Sequence, residues 1–343
     1  MQPPTPPPPP PQKTPQTEEE REAAAVKRRE AQLLREKKQE EKQRLEHEAF
    51  LAANPSFPLM CGQEPTSVWK ILQATSRSEP VPFTAPPFVD GTSPQAPATT
   101  RFVVISDTHD RHTKMAPLPQ GDVLIHCGDF TMDGRIKAIS EFGKWFSSQP
   151  HPYKIVIAGN HDTTLDGPYY ERAYHKRPRG SAPAAWKALH HRLVPEEEAR
   201  AALLASGGVT YLVDQATTIN GLTIYGSPWQ PSFHDWAFNR DRGIPLRDTW
   251  ALIPAQVDVL CTHGPALGHG DGIAGPEGDT LRTGCEDLLY AIQRVQPQVH
   301  VFGHVHEGYG ATTDGTTVYA NCSTCTFAYR PENPPVVFDL HNK

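Results

Sequence analysis

No run in this chain approaches the roughly 20 consecutive apolar residues that span a bilayer, so no membrane-spanning helix is expected. The opening MQPPTPPPPPPQ lacks the charged and apolar regions of a secretory leader, and the acid-rich residues after it do not suit a mitochondrial transit peptide. A soluble, cytoplasmic protein is the expectation. Net charge is −6 and no strongly basic patch emerges. That excludes duplex nucleic acid held by phosphate neutralisation as a partner, but leaves a nucleotide open as a substrate. Apolar residues make up 37%, low for a compact globule, whereas 36 prolines are about twice the usual share. The six cysteines are scattered, and the C-x-x-C at Cys322 and Cys325 lacks the second pair that a structural zinc site uses. They read as reduced packing thiols, which suits a reducing compartment.

What is there divides into four zones. Residues 1–16 are a proline-rich leader, extended and unable to form a core. Residues 17–53 are rich in strong helix formers, with Thr17 as a cap, Glu18 to Glu20 at the positive end of the dipole, and pairs such as Glu40 with Arg44. A heptad seeded on Val26 and Leu33 next meets Glu40 and His47, so a coiled coil is rejected in favour of a solvated single helix or a protein-binding arm. Residues 54–100 read as a linker, with SVWKILQA as a short helix laid on the main body. Residues 101–343 form the folded domain.

From Arg101 onward, short apolar runs (RFVVIS, DVLIHC, YKIVIA, LTIYGS, VDVLCT, VHVFG, TVYAN, PVVFDL) alternate with helical patterns such as RIKAISEFGKWFSS and EDLLYAIQRVQ. Continuous apolar strands alternating with helices predict an α/β architecture with sheets covered on both faces.

Five of those strands end in chemistry. RFVVIS is followed by Asp107 and His109, DVLIHC by Asp129, YKIVIA by Asn160, His161 and Asp162, VDVLC by His263, and VHVF by His304 and His306. Ligands of open α/β sheets bind beyond the carboxyl ends of the strands, so these segments are expected to meet at one rim. The donors are oxygen and imidazole without thiolate, a set suited to borderline divalent ions rather than to a calcium cage or a cysteine zinc site. They exceed what one tetrahedral ion needs and suit two ions sharing a carboxylate.

The ordered series D-T-H, G-D, G-N-H-D, T-H-G and G-H-V-H resembles the calcineurin-like metallophosphoesterase superfamily over residues 101–341. The stretches IYGSPWQPSFHDWAFNRDRG, THGPALG, FGHVHEGYG and NPPVVFDL are similar to its small metallophosphoesterase-domain-containing subfamily, akin to class III cyclic nucleotide phosphodiesterases. The resemblance implies a four-layer α-β-β-α sandwich of two mixed sheets behind a disordered or helical N-terminal extension. It implies Asp107, His109, Asp129 and His306 on a first metal, and Asp129, Asn160, His263 and His304 on a second. Manganese leads the candidates, with iron, zinc, magnesium and nickel behind it. Asn160 and His161 would meet the substrate, and His161, its ring oriented by Asp162, would be the catalytic acid.

The motif GDFTMDGR lacks the Asp-Arg-Gly of the family's protein phosphatases, which favours a small substrate. The expectation is therefore hydrolysis of small phosphodiesters, cyclic nucleotides among them, by a hydroxide bridging two metals. A phosphomonoesterase, or a low-turnover nucleotide-binding protein of the same fold, is the alternative. Trp229, Phe233, Trp236 and Phe238, in a loop after a strand, are candidates to stack on a base.

Overall fold

A computed structural model of the chain describes residues 64–175 and 192–343. The proline-rich leader and the charged helix expected over 1–53 lie outside the described residues.

In chain order the elements begin with α1 (Pro65–Leu72), β1 (Glu79–Val81), β2 (Thr99–Ile105), β3 (Val123–Cys127), α2 (Ile136–Ser147) and β4 (Tyr153–Ile157). Then come α3 (Gly167–His175), α4 (Glu196–Leu204), β5 (Thr210–Tyr211), β6 (Gln215–Ile219) and β7 (Leu222–Ser227). After two short strands, β8 (Gln230–Pro231) and β9 (Asn239–Arg240), follow α5 (Ile244–Ala251) and β10 (Val259–Thr262). The chain closes with β11 (Gly272–Ala274), β12 (Thr280–Arg282), α6 (Glu286–Val295), β13 (Val299–Phe302), β14 (Gly310–Thr313), β15 (Val318–Asn321) and β16 (Val336–His341).

Two mixed sheets result. One runs β16-β2-β3-β4-β5, parallel except where β16 pairs antiparallel with β2. The other runs β1-β14-β15-β13-β10-β7-β6, with parallel pairing from β15 to β7 and antiparallel strands at its margins.

The period of two along each strand sends alternate side chains into different cores. Phe102 and Val104 of β2 face the other sheet and pack with Ile125, Ile224, Val259 and Val301, while Val103 and Ile105 join Phe142, Phe146 and Leu203 beneath α2 and α4. Leu260 and Phe302 turn instead to Trp250, Leu288 and Ile292 of α5 and α6. Three apolar interfaces between four layers make the α-β-β-α sandwich. Cys127 and Cys261 face each other across the middle interface as buried free thiols, 3.5 Å apart.

Of the segment read as a linker, α1 packs Val68 and Trp69 into the α5–α6 core, and β1 extends the larger sheet by pairing with β14. No helix among the described residues is long and apolar enough to cross a membrane.

Candidate metal centre

β2, β3 and β4 belong to one sheet, and β10 and β13 to the other. The five motifs therefore meet where the carboxyl ends of two facing sheets come together, and not at a single rim as expected. Close approach between sheets is what makes the motif glycines necessary. A Cβ on Gly303 would overlap Asp107 Oδ2 and the Ser106 hydroxyl, and one on Gly159 would overlap the His263 ring from the other sheet as well as Asp129 Oδ1 beside it. Both positions need hydrogen where the residue type supplies it.

The backbone is held in an uncommon state at the same place. Asp107, His109, Asp129 and His304 adopt φ of 52°, 42°, 56° and 69°. Positive φ on residues with a Cβ is rare and concentrates where function over-determines conformation. It also changes how His304 and His306 diverge. They do not lie on one extended segment, as i and i+2 spacing suggests; His304 is left-handed and His306 opens a short 3₁₀ turn.

Three overlapping groups of potential ligand atoms follow: Asp107 with His109 and His306, Asp129 with His263 and His304, and His109 with Asp129 and His161, each group lying within 4.8 Å. His109 Nε2 is 3.2 Å from His306 Nε2, and Asp107 Oδ1 is 3.5 Å from that same His306 nitrogen. Asp129 Oδ2 lies 3.8 Å from His109 Nε2 and 3.4 Å from His263 Nε2, so one oxygen faces both ends of the centre. Asn160 Oδ1 is 3.0 Å from His263 Nε2. The remaining nitrogens are turned outward, His263 Nδ1 to the Cys127 carbonyl at 2.9 Å and His306 Nδ1 to the Thr326 carbonyl at 3.0 Å. These two rings thereby present Nε2 inward, the orientation that supporting partners impose on metal-binding histidines.

This donor set fits divalent cations. Two buried carboxylates and imidazole nitrogens point at one another, and among the described residues no lysine or arginine pairs with either carboxylate. Burial alone would raise the carboxylates' pKa values; the contacting imidazoles overcome it, His306 at Asp107 and His263 at Asp129, holding both well below the usual carboxylate range. Burial would depress His263, but Asp129 pushes it up to about 9. His109 and His304, where burial dominates, fall to about 4 and about 3. The centre thus sets ionised oxygens against proton-holding His263 and His306 beside neutral His109 and His304, so a cation binding there would displace protons from the raised pair.

His161 and Asp162 behave differently from expectation. The His161 ring is held by the Met132 carbonyl, 2.7 Å from Nδ1, and by stacking on Trp236 at 4.3 Å. Asp162 does not touch it. Its oxygens accept from the backbone N–H groups of Asp129, Thr131 and Gly159 and from the Thr131 hydroxyl, all within 2.9 Å. Fully buried, this carboxylate ties the second motif to the third; burial and the Asp129 charge push its pKa up to about 8, against those four donors. The reason lies in the Gly159–Asp162 turn, which folds the side chain back under the loop.

Of the aromatic candidates, Trp236 covers His161, and Phe233 stands edge-on to His304 at 5.4 Å with 46% of its surface exposed. Phe238 is buried, and Trp229 packs on it while Arg240 covers its ring. A cavity of about 200 Å³ opens beside His304, walled by Phe233, Arg242, Pro265, Arg282 and Thr283. The sequence does not single out the two arginines: Arg242 sits inside IYGSPWQPSFHDWAFNRDRG with no chemistry assigned to it, and Arg282 ends β12.

A profile of the calcineurin-like phosphoesterase family matches residues 100–308, and the chain belongs to that family of metal-dependent phosphoesterases. Within it, the chain is similar to human metallophosphoesterase domain-containing protein 1, 45% identical over 267 residues, which cover 76% of this chain and 75% of that one. A UPF0046 protein of Caenorhabditis elegans is 40% identical over 281 residues, covering 81% of this chain and 68% of its own. The family implies a dinuclear divalent site, and the three ligand groups are where this chain would hold it.

Proposed function

We propose that the protein hydrolyses small phosphodiesters, cyclic nucleotides among them, using two divalent cations, manganese first. The observation that carries this reading is the pair of ligand groups, Asp107–His109–His306 and Asp129–His263–His304, with Asp129 Oδ2 facing both. Asp107, His109 and His306 would hold one cation, Asn160, His263 and His304 the other, and Asp129 would bridge. When bound, such ions neutralise phosphoryl oxygens and lower the pKa of water towards neutrality.

The chain's own residues do the rest. Asn160, fixed against His263, orients the phosphate. His161, with Nδ1 turned to the Met132 carbonyl, presents Nε2 to the leaving oxygen and protonates it. Asp162 acts at a distance from the reaction by holding the Asp129 and His161 loops in register. The cavity beside His304 receives the leaving group. At about 200 Å³ it is smaller than most ligand cavities and suits a single ring system against Phe233 rather than a phosphoprotein loop.

A manganese-supplemented assay tests this with 2′,3′- and 3′,5′-cyclic nucleotides, aryl diesters and aryl monoesters. Diester turnover should exceed monoester turnover. Preference for monoesters, or nucleotide binding without turnover, would overturn it.

A further inference from the structure

After β15 the chain returns across the centre before entering β16. Three residues of this return, spaced three apart, each support a different member of the Asp107–His109–His306 group. Ser323, fully buried, donates its hydroxyl to Asp107 Oδ2 at 3.0 Å. The Thr326 carbonyl fixes His306 Nδ1 at 3.0 Å. Tyr329 sets its ring edge-to-face against both His109 and His306, with centroids 4.9 and 5.3 Å away.

The return is itself pinned. Thr324 N–H donates to the Ser106 carbonyl at 2.8 Å, Asn333 Nδ2 donates to the Ser323 carbonyl at 2.9 Å, and a tight turn joins Tyr329 N–H to the Thr326 carbonyl at 2.7 Å. Tyr329 occupies φ 55°, a conformation a bulky side chain rarely takes. It is kept there by the turn that aims its ring inward. The other ligand group draws its side-chain supports from elsewhere: Cys127 holds His263, Phe233 meets the His304 ring, and Asp162 holds the Asp129 backbone, while the His304 backbone N–H donates to Asp107. The family match ends at residue 308, so this supporting segment lies beyond it.

We infer that residues 323–329 form a bracket that sets the affinity of the first ion position separately from the second. The inference rests on the two-ion reading above. Ser323, Thr326 and Tyr329 are positioning residues: they fix the carboxylate and two imidazoles in the geometry that a cation needs, so that less ordering is left to binding. Loss of such an outer partner typically weakens metal affinity by about 10–100-fold.

The test strips the full chain of metal with a chelator and retitrates it with manganese, counting bound ions by electron paramagnetic resonance. Wild type should bind two ions. Ser323→Ala and Tyr329→Ala should weaken one of the two by about 10–100-fold and leave the other within about twofold. Tyr329→Phe, which keeps the ring, should titrate like wild type, and turnover of Tyr329→Ala should recover at saturating manganese. The thermal midpoint of each metal-free variant, unchanged, shows that the fold survives. Equal weakening of both ions, or of neither, would overturn the bracket, as would a Tyr329→Phe defect matching that of Tyr329→Ala. A wild-type chain that binds fewer than two ions would instead sink the two-ion reading on which the bracket stands.

Discussion

At the residue scale, the aspartates and histidines of the motifs have separate duties. Asp129 faces both ligand groups, so Asp129→Asn should abolish measurable diester turnover and lower the manganese content of the purified protein, read by elemental analysis. His161 is supported from Met132 and Trp236. His161→Ala should keep its manganese and lose about 10²–10⁴-fold in kcat on a diester with a poor leaving group, the usual share of a general acid. The loss should shrink for an aryl diester, whose leaving group needs no proton; an equal loss on both would remove His161 from that role. Asp162→Asn replaces an acceptor of four donors with a group that accepts at one end only. Its effect should appear as lost thermal stability and lower manganese affinity together, whereas a kcat change alone, at wild-type stability, would argue for direct participation.

At the scale of elements, the ends of β2, β3, β4, β10 and β13 were legible because each strand is a continuous apolar run that stops at a glycine or polar motif. Periodicity and composition are local, and so are the chemistry-bearing residues that follow. What was not legible is what depends on contacts between distant segments. That the five ends belong to two sheets follows from strand order, which no short-range pattern carries; the family resemblance alone implied the two mixed sheets that the structure has. Asp162 reads as a partner for its neighbour His161, yet the turn from Gly159 sends it towards Asp129 and Thr131. Ser323 and Tyr329 lie outside the five ligand motifs, and Arg242 reaches the cavity by binding the Thr283 and Gly284 carbonyls. If that cavity takes the leaving group, Phe233→Ala should raise KM for a nucleotide diester several-fold while sparing bis-aryl phosphate; an unchanged KM ratio would place the leaving group elsewhere.

Across the whole molecule, buried histidines outside the ligand groups set an acid limit on stability. Burial lowers His126 to about 3 and His269 to about 4. His126 pairs with the Thr108 hydroxyl at 2.9 Å, and His269 stacks on Tyr319 at 3.6 Å. Folding favours their neutral forms, so the stability they contribute is complete above the unfolded value of about 6.5 and drains away as pH falls towards their folded values. The metal-free protein should therefore lose thermal midpoint steadily from about pH 6.5 downward, and His269→Gln should flatten that slope. A slope unchanged by the substitution would put the acid limit on other groups.

Whether two facing sheets bring their motifs together to grip a pair of cations across Asp129 is read most directly by anomalous diffraction from crystals soaked in manganese. Two peaks about 3.5–4 Å apart, with the Asp129 carboxylate between them, are expected. A single peak, or peaks remote from Asp107, Asp129 and the surrounding imidazoles, would contradict this arrangement.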